Sequence, residues 1–196
     1  MLLLRSSSID ETHAIAAAIA GLTRPGDVII LSGEMGAGKT AFAQGFGRAL
    51  GVDEPITSPT YTLVHSYDVP KSGPLGRVTL HHADLYRLDR TEEVADLALA
   101  ELAEFDGIVL VEWGDVVETA FGEHLVVHLE YDEDNQDEPG DAESGNAESG
   151  DADTGDAECG DDYTGDDGRS IEIAGVGPTW ASRWSGVVAA VEAYRC

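Results

Sequence analysis

Apolar side chains recur every three or four positions in four parts of the chain, and this spacing predicts helices that each bury one face. The four stretches are 8–20, 38–50, 91–102 and 180–194. The first opens on a capping box, in which the Ser8 and Glu11 side chains satisfy free backbone N–H groups. Gly51 ends the second, because glycine readily adopts the left-handed conformation that closes helices.

Shorter runs of apolar and β-branched residues lie between these helices and predict strands. They are 1–5, 27–32, 61–68, 77–83, 108–111, 125–131 and 170–174. The first is predicted to be an edge strand, and 61–68 should pair with 77–83 as a hairpin. The unbroken apolar run 108–111 is typical of a strand covered on both faces. Together these elements predict an α/β fold with a mixed central sheet flanked by helices.

Residues 132–168 interrupt this pattern between the last two predicted strands. Sixteen of the 38 acidic residues and none of the Lys or Arg lie there, and from Gly140 a glycine returns at every fifth position. So few apolar residues cannot offset the entropy of ordering the segment, which predicts a disordered acidic insertion. Its spacing does not fit known calcium-binding loops, which favours weak ion condensation. We therefore expect one domain, formed by 1–131 and 169–196, with 132–168 inserted in it.

The overall charge restricts the possible partners. The net charge of −27 and the pI near 4.1 would repel a phosphate backbone, which argues against unaided tight binding of nucleic acid. The sequence contains no apolar run near 20 residues long, and its two cysteines form no disulfide framework or metal-ligand spacing. We expect a cytoplasmic protein without a membrane partner.

The segment Gly33–Thr40 reads GEMGAGKT and fits the phosphate-binding pattern G-x-x-x-x-G-K-[ST] between a predicted strand and a predicted helix. Its glycines let backbone N–H groups converge on a phosphate at the positive N-terminus of the helix. Lys39 should reach the β- and γ-phosphates, and the Thr40 hydroxyl should hold Mg²⁺. The residues predicted to bind the nucleotide here are Glu34, Met35, Gly36, Ala37, Gly38, Lys39, Thr40 and Ala41.

Two carboxylates lie at the ends of predicted strands. Glu112 ends the buried strand 108–111, and Asp84 follows the second strand of the hairpin. Either one alone is more typical of a solvated strand end. A phosphate-binding loop, however, requires acidic groups for Mg²⁺ and for the attacking water, and open α/β sheets bind ligands at the carboxyl ends of their strands. We therefore predict that both carboxylates belong to the site.

Three segments in order, GEMGAGKT, SPTYTLVHSY, and HADLYRL followed by LVEW, jointly resemble the TsaE (YjeE) family of small P-loop ATPases. This family acts with partner proteins in making threonylcarbamoyladenosine in tRNA. The resemblance extends over residues 8–131 and 169–174. It implies a single P-loop NTPase domain that binds ATP and Mg²⁺ and hydrolyses ATP.

The resemblance also implies roles for individual residues. Lys39, Asp84 and Glu112 would be catalytic, and Thr40 would hold Mg²⁺ together with the two carboxylates. Glu112 would be either the general base or a metal ligand. Thr60 would lie in a switch-like segment near the γ-phosphate, and Arg169 would contact the nucleotide.

Trp113 matches the aromatic residue that follows the glutamate in similar proteins. Two positions depart from the pattern. Ala83 stands where similar proteins usually have an aromatic residue, and Leu97-Ala98 stands where they usually have Leu-Gly. Both changes affect packing or turn geometry and leave the charged atoms in place.

The function implied by the resemblance is an ATP-binding and ATP-hydrolysing component of the complex that makes N6-threonylcarbamoyladenosine at position 37 of tRNAs reading codons that begin with A. Its partners would be TsaD-like and TsaB-like proteins, tRNA would be contacted only indirectly, and hydrolysis would be weak without the partners. A small-molecule P-loop kinase and a nucleotide-dependent binding module with little hydrolysis remain as alternatives. The kinase would need an Arg-rich helical lid, and the sequence between 61 and 112 contains none.

Overall fold

The computed structural model describes residues 1–70, 78–88, 97–105, 107–114, 121–131 and 168–196. The strands are β1 (Leu2–Ser6), β2 (Val28–Ser32), β3 (Val64–Val69), β4 (Val78–Asp84), β5 (Gly107–Glu112), β6 (His124–Tyr131) and β7 (Arg169–Val176). The helices are α1 (Ile9–Ala20), α2 (Lys39–Leu50), α3 (Leu99–Glu104) and α4 (Pro178–Ala190), and a 3₁₀ turn follows at Glu192–Tyr194. Every predicted strand is confirmed, with shifts of one to three residues at most of the ends.

The strands form one mixed sheet in the order β1-β7-β6-β2-β5-β4-β3. The inner strands β6, β2, β5 and β4 run parallel to one another, whereas β1, β7 and β3 pair antiparallel with their neighbours. The predicted mixed sheet, the hairpin of β3 with β4 and the edge position of β1 are thus confirmed. Because β2, β5 and β4 are parallel, their carboxyl ends meet at one edge of the sheet.

Both faces of the sheet are covered at its centre. Helices α1, α2 and α4 pack on one face in the larger hydrophobic cluster, and α3 packs on the other face in a smaller one. Every residue of β2 and β5 is buried, which confirms that 108–111 is a strand covered on both sides. The two buried strands therefore give rigid support to the residues at their carboxyl ends, which are Ser32 in β2 and Glu112 in β5.

The first helix begins as the sequence predicts. Ser8 Oγ accepts a hydrogen bond from the Glu11 backbone N–H at 3.2 Å, and the Glu11 carboxylate accepts one from the Ser7 N–H at 2.7 Å. The bond from the Ser7 amide lowers the pKa of Glu11 below its ordinary value. The reciprocal bond thus goes to the residue before the N-cap, whereas a standard capping box returns it to the N-cap itself.

Helix α4 is fixed to the sheet by a buried ion pair. The Arg183 guanidinium donates to both carboxylate oxygens of Asp27 at 2.6 and 2.7 Å and to the Leu22 carbonyl at 2.9 Å. It also lies 4.0 Å from the centroid of the Trp180 ring. Asp27 immediately precedes β2, so this bidentate pair ties the last helix to the strand that leads into the glycine loop, residues 33–38.

Several predicted boundaries need correction. The helix predicted from Thr91 is described only from residue 97, and within that part α3 covers only Leu99–Glu104. The closing helix predicted for 180–194 starts earlier, at Pro178, and its α-helical part ends at Ala190. Asp84, predicted just past a strand, is the last residue of β4. The predicted disorder of 132–168 concerns residues outside the described part, apart from Gly168, and it stays a prediction.

Ala98 occupies a backbone conformation that suits glycine better. Its φ of 48° and ψ of 38° are left-handed, and it is the N-cap of α3. Since this conformation costs an alanine about 1 kcal/mol, we expect Ala98→Gly to raise the free energy of unfolding by about 0.5–1 kcal/mol, as measured by urea denaturation.

Ala100→Gly is the matched control, because Ala100 is exposed and has the right-handed conformation of α3. Its replacement should lower stability by about 0.5–1 kcal/mol. Equal destabilisation by both glycines would show that residue 98 is not left-handed in solution.

Candidate functional site

The glycine loop joins β2 to α2, and glycine is required at three of its positions. Gly33, Gly36 and Gly38 have φ values of 124°, 83° and 103°. A Cβ atom at Gly33 would overlap the Leu129 carbonyl, and one at Gly36 would lie 2.5 Å from the Tyr131 hydroxyl. The loop is thus held closely against β6, in the strand, loop and helix order that the motif predicts.

Lys39, the first residue of α2, points back into the loop. Its Nζ donates to the carbonyls of Gly33 at 2.8 Å and Glu34 at 2.7 Å, and it lies 3.8 Å from the centroid of the Trp113 ring. The residue is 5% exposed. A buried cation beside the N-terminus of a helix is an arrangement that attracts an anion, because both contribute positive potential.

Thr40 connects the loop to the end of β5. Its hydroxyl donates to the two carboxylate oxygens of Glu112 at 3.0 and 3.1 Å. Glu112 is 2% exposed, and its Oε1 also lies 2.8 Å from Nε2 of the fully buried His82. The two residues predicted from separate motifs, Thr40 and Glu112, are therefore in direct contact.

Asp84 binds the segment that carries Thr60. One carboxylate oxygen accepts hydrogen bonds from the hydroxyls of Ser58 at 2.6 Å and Thr60 at 2.8 Å, and the other accepts from the Tyr86 backbone N–H at 2.9 Å. Asp84 is adjacent to Glu112 in the register of β4 and β5. The segment 58–60 is thus held at the same sheet edge as the glycine loop.

Arg169 approaches the loop from the start of β7. Its Nε donates to the Ala37 carbonyl at 3.2 Å, and its guanidinium lies 5.9 Å from the centroid of the Tyr131 ring. A Cβ atom at Gly38 would lie 2.9 Å from Nε. Arg169 is therefore packed against the loop, although it is separated from the loop by about 130 residues.

These residues surround a cleft of about 800 Å³. Of the predicted site residues, those that line it are Met35, Gly36, Gly38, Lys39, Thr40, Ala41, Thr60, Asp84, Glu112 and Arg169. Ala37 is buried beside the cleft, and Glu34 contributes its carbonyl to Lys39. The structure thus brings together the predicted residues of all the separate motifs in one place.

The cleft also includes residues that the sequence did not single out. Ser7, Ser8 and Ile9 reach it from the start of α1, and Gln44 reaches it from α2. Among these, only Ser8 has a role predicted from the sequence, as a helix cap. Ser58 and His82 were missed as well, although each lies two residues before a predicted site residue. In β4 this spacing puts the side chains of His82 and Asp84 on the same face.

Trp113 has an unusual backbone. Its φ is 61°, which is uncommon for a bulky residue, and its N–H donates to the Leu31 carbonyl at 2.9 Å. This turn places the Trp113 ring over Lys39 and 5.0 Å from the Tyr86 ring. Such strained positions persist where the surrounding structure holds them, and they cluster at functional sites.

The donor groups suit Mg²⁺. Thr40, Asp84 and Glu112 offer only oxygen atoms, which are the ligands that Mg²⁺ prefers. The described residues contain no cluster of three or more His, Cys, Asp or Glu able to hold a metal ion by themselves. The usual magnesium site of nucleotide enzymes needs only one or two carboxylates, which act together with phosphates and water.

In the described part of the chain, no helix is both long enough and apolar enough to cross a membrane.

Comparison with known proteins gives consistent results. Residues 6–139, more than half of the chain, match the family described as "Threonylcarbamoyl adenosine biosynthesis protein TsaE". A Bacillus subtilis protein named "tRNA threonylcarbamoyladenosine biosynthesis protein TsaE" is 40% identical over 114 residues, which are 58% of this chain and 67% of that protein. A Treponema pallidum protein of the same name is 36% identical over 121 residues, 62% of this chain and 84% of that one.

The fold also has a solved counterpart. The crystal structure of Bacillus subtilis YdiB matches with a TM-score of 0.64 and 27% sequence identity, over 96% of this chain and 94% of that one. The mixed sheet and its flanking helices are therefore shared with a protein of known structure.

Proposed function

Since the chain belongs to the TsaE family, we propose that it is a P-loop ATPase that serves in making threonylcarbamoyladenosine in tRNA. The role in tRNA threonylcarbamoyladenosine biosynthesis follows from the family and from curated relatives that are 36–40% identical. ATP binding, the requirement for Mg²⁺ and hydrolysis are the parts that we add from the geometry of the cleft.

The observation that carries this proposal is the contact between Thr40 and Glu112. A hydroxyl at the end of the glycine loop and a carboxylate at the end of β5 lie 3.0 Å apart, beside a buried lysine. P-loop ATPases use these groups to hold Mg²⁺ and to orient water. A glycine turn with a purely structural role would require neither an acid beside its threonine nor a buried ammonium group.

In the proposed reaction, the loop N–H groups and Lys39 bind the β- and γ-phosphates, and the helix α2 dipole adds to their attraction. Mg²⁺ bound with the nucleotide would neutralise charge that develops on the transferred phosphoryl group. Thr40, Glu112 and Asp84 would hold it. Arg169, whose guanidinium adjoins the loop, would contact the nucleotide.

The carboxylates would also act on the water. Glu112 lies at the bottom of the cleft and can either accept the proton of the attacking water or ligate the metal. Asp84 accepts hydrogen bonds from Thr60 and Ser58, and the segment that carries Thr60 would respond to the γ-phosphate. The 800 Å³ cleft is within the range of small-molecule sites, which leaves room for a nucleotide.

The net charge of −27 suits protein partners better than direct contact with tRNA. We propose that TsaD-like and TsaB-like proteins supply the tRNA contact and that hydrolysis is slow without them.

The cellular test of the proposal is depletion of the protein from its native cell. Threonylcarbamoyladenosine should fall in tRNAs that read codons beginning with A, as measured by mass spectrometry of digested tRNA. Re-expression of the wild-type chain should restore it, and re-expression of Lys39→Ala should not. Restoration by Lys39→Ala would overturn the requirement for nucleotide binding, and unchanged modification after depletion would favour the kinase or the binding-module alternative.

A further inference from the structure

His82 is a fully buried histidine in direct contact with the proposed catalytic glutamate. It is 0% exposed, and its Nε2 lies 2.8 Å from Glu112 Oε1. In β4 it precedes Asp84 by two residues, so both side chains lie on the same face, and its register partner in β5 is Leu110. His82 thus lies below the two carboxylates, on the face of the sheet that the larger hydrophobic cluster covers.

The surroundings of His82 fix which nitrogen donates. An ionised carboxylate only accepts hydrogen bonds, so Nε2 must carry the hydrogen that Glu112 accepts. Among the described residues, Nδ1 has no hydrogen-bond partner. A hydrogen on Nδ1 would find no acceptor among the described residues, whereas a hydrogen on Nε2 is directed at Glu112. The ring therefore donates one hydrogen bond, from Nε2 to Glu112.

Two side chains, Thr40 and His82, orient the Glu112 carboxylate, and only the His82 contact is expected to persist when nucleotide binds. The Thr40 hydroxyl donates to both oxygens, yet Thr40 is also the residue expected to turn to Mg²⁺. The bond from His82 comes from β4, the strand beside β5, and does not depend on the glycine loop. When the Thr40 bond is given up, only the histidine still fixes the Glu112 carboxylate among the contacts described for it.

We propose that His82 is a positioning residue, whose Nε2–H holds the Glu112 carboxylate in the orientation that hydrolysis needs. The proposal rests on the proposed ATPase function. Buried groups that orient a catalytic or metal-binding side chain typically change activity by about 10–100-fold when they are removed.

The test compares two substitutions of His82 in the full-length chain, assayed with partner proteins. His82→Gln keeps an N–H donor near the position of Nε2, whereas His82→Leu removes the donor at similar volume. We expect His82→Leu to lower kcat for ATP by about 10-fold or more and to leave KM within about twofold. The glutamine variant should retain most of the wild-type kcat.

The matched control is His81→Gln. His81 precedes His82, but its side chain is on the opposite face, where Nδ1 lies 2.8 Å from the Ser66 hydroxyl. Burial lowers the pKa of His81. This variant should hydrolyse ATP at the wild-type rate. Equal loss of kcat in His82→Gln and His82→Leu, or a wild-type kcat in His82→Leu, would overturn the positioning role.

A second readout needs neither nucleotide nor metal. In the free protein, ¹⁵N NMR should find His82 protonated at Nε2, and Glu112→Gln should shift that resonance. His82→Leu should lower the melting temperature by about 5 °C when Glu112 is present and should have little effect in a Glu112→Ala chain. Equal effects in both chains would overturn the contact.

A wild-type chain that hydrolyses ATP with its partners, while His82→Leu keeps the wild-type kcat, would overturn the positioning role alone and leave the proposed function standing. If the wild-type chain hydrolyses no ATP with its partners, while the NMR and melting results are as expected, the ATPase function fails and the His82–Glu112 contact stands without a catalytic purpose. The positioning role is then overturned together with the function, and the hydrogen bond is a feature of the fold.

Discussion

Lys39→Ala should lower the affinity for ATP by about 100-fold or more in titration calorimetry. Among the described residues, Lys39 is the lysine whose ammonium group lies inside the glycine loop, where it contacts the carbonyls of Gly33 and Glu34. A charge-assisted hydrogen bond contributes about 1.5–3 kcal/mol, and each 1.4 kcal/mol corresponds to a tenfold change in affinity. Contacts of one ammonium group with two phosphates therefore account for a loss of this size.

Two further variants show what the site requires of residue 39. Lys39→Arg keeps the positive charge, but its planar, forked group does not fit the compact space between the loop carbonyls and the Trp113 ring. We expect it to bind ATP nearly as weakly as the alanine variant. Arg48→Ala removes an exposed cation from the same helix, away from the loop, and should bind ATP as the wild type does.

The melting temperature of Lys39→Ala must be measured in parallel. Removing Nζ leaves two loop carbonyls without this donor, so a moderate loss of stability is expected even though the fold is retained. ATP affinity within threefold of the wild type would mean that the loop does not bind phosphate, and the proposed function would fall with it.

The glycine loop could be predicted from the sequence because its requirements are local. Phosphate binding needs glycines, a lysine and a hydroxyl at fixed spacing, and a strand and a helix on either side. The structure adds why the glycines are needed, since Leu129 and Tyr131 of β6 approach the loop where a Cβ atom would lie. That contact depends on the order of the strands in the sheet, which hydrophobic spacing alone does not specify.

The parts of the site that were missed depend on tertiary contacts. Ser8 was predicted as a helix cap, and it is one, but the packing of α1 beside α2 also brings it to the cleft. His82 carried a strand signal, and its contact with Glu112 follows from the parallel pairing of β4 with β5. The left-handed backbone of Trp113 had no sequence signal, because residues other than glycine rarely adopt it.

Glu112→Gln should keep ATP binding and lower hydrolysis by about 10²–10⁴-fold in the presence of partner proteins. The substitution preserves size and removes the negative charge, whereas Glu112→Ala also removes the hydrogen-bond acceptor for Thr40 and His82. Both variants should lose hydrolysis, and the alanine variant should melt at a lower temperature, because it leaves the His82 donor buried without its acceptor. Glu130→Gln is the matched control, since Glu130 is an exposed glutamate near the end of β6, which β2 separates from β5.

The dependence on Mg²⁺ then separates the two roles open to Glu112. If the carboxylate accepts the proton of the attacking water, Glu112→Gln should bind ATP with the same Mg²⁺ requirement as the wild type and fail only in turnover. If it ligates the metal, the Mg²⁺ concentration needed for tight ATP binding should rise about 10–100-fold, in line with the loss of one metal contact. The contact with Thr40, itself an expected metal ligand, is compatible with either role, because a base must lie close to the metal-bound phosphate that water attacks. Wild-type turnover by Glu112→Gln with an unchanged Mg²⁺ requirement would assign this buried carboxylate to the fold alone, as the acceptor that joins α2, β4 and β5.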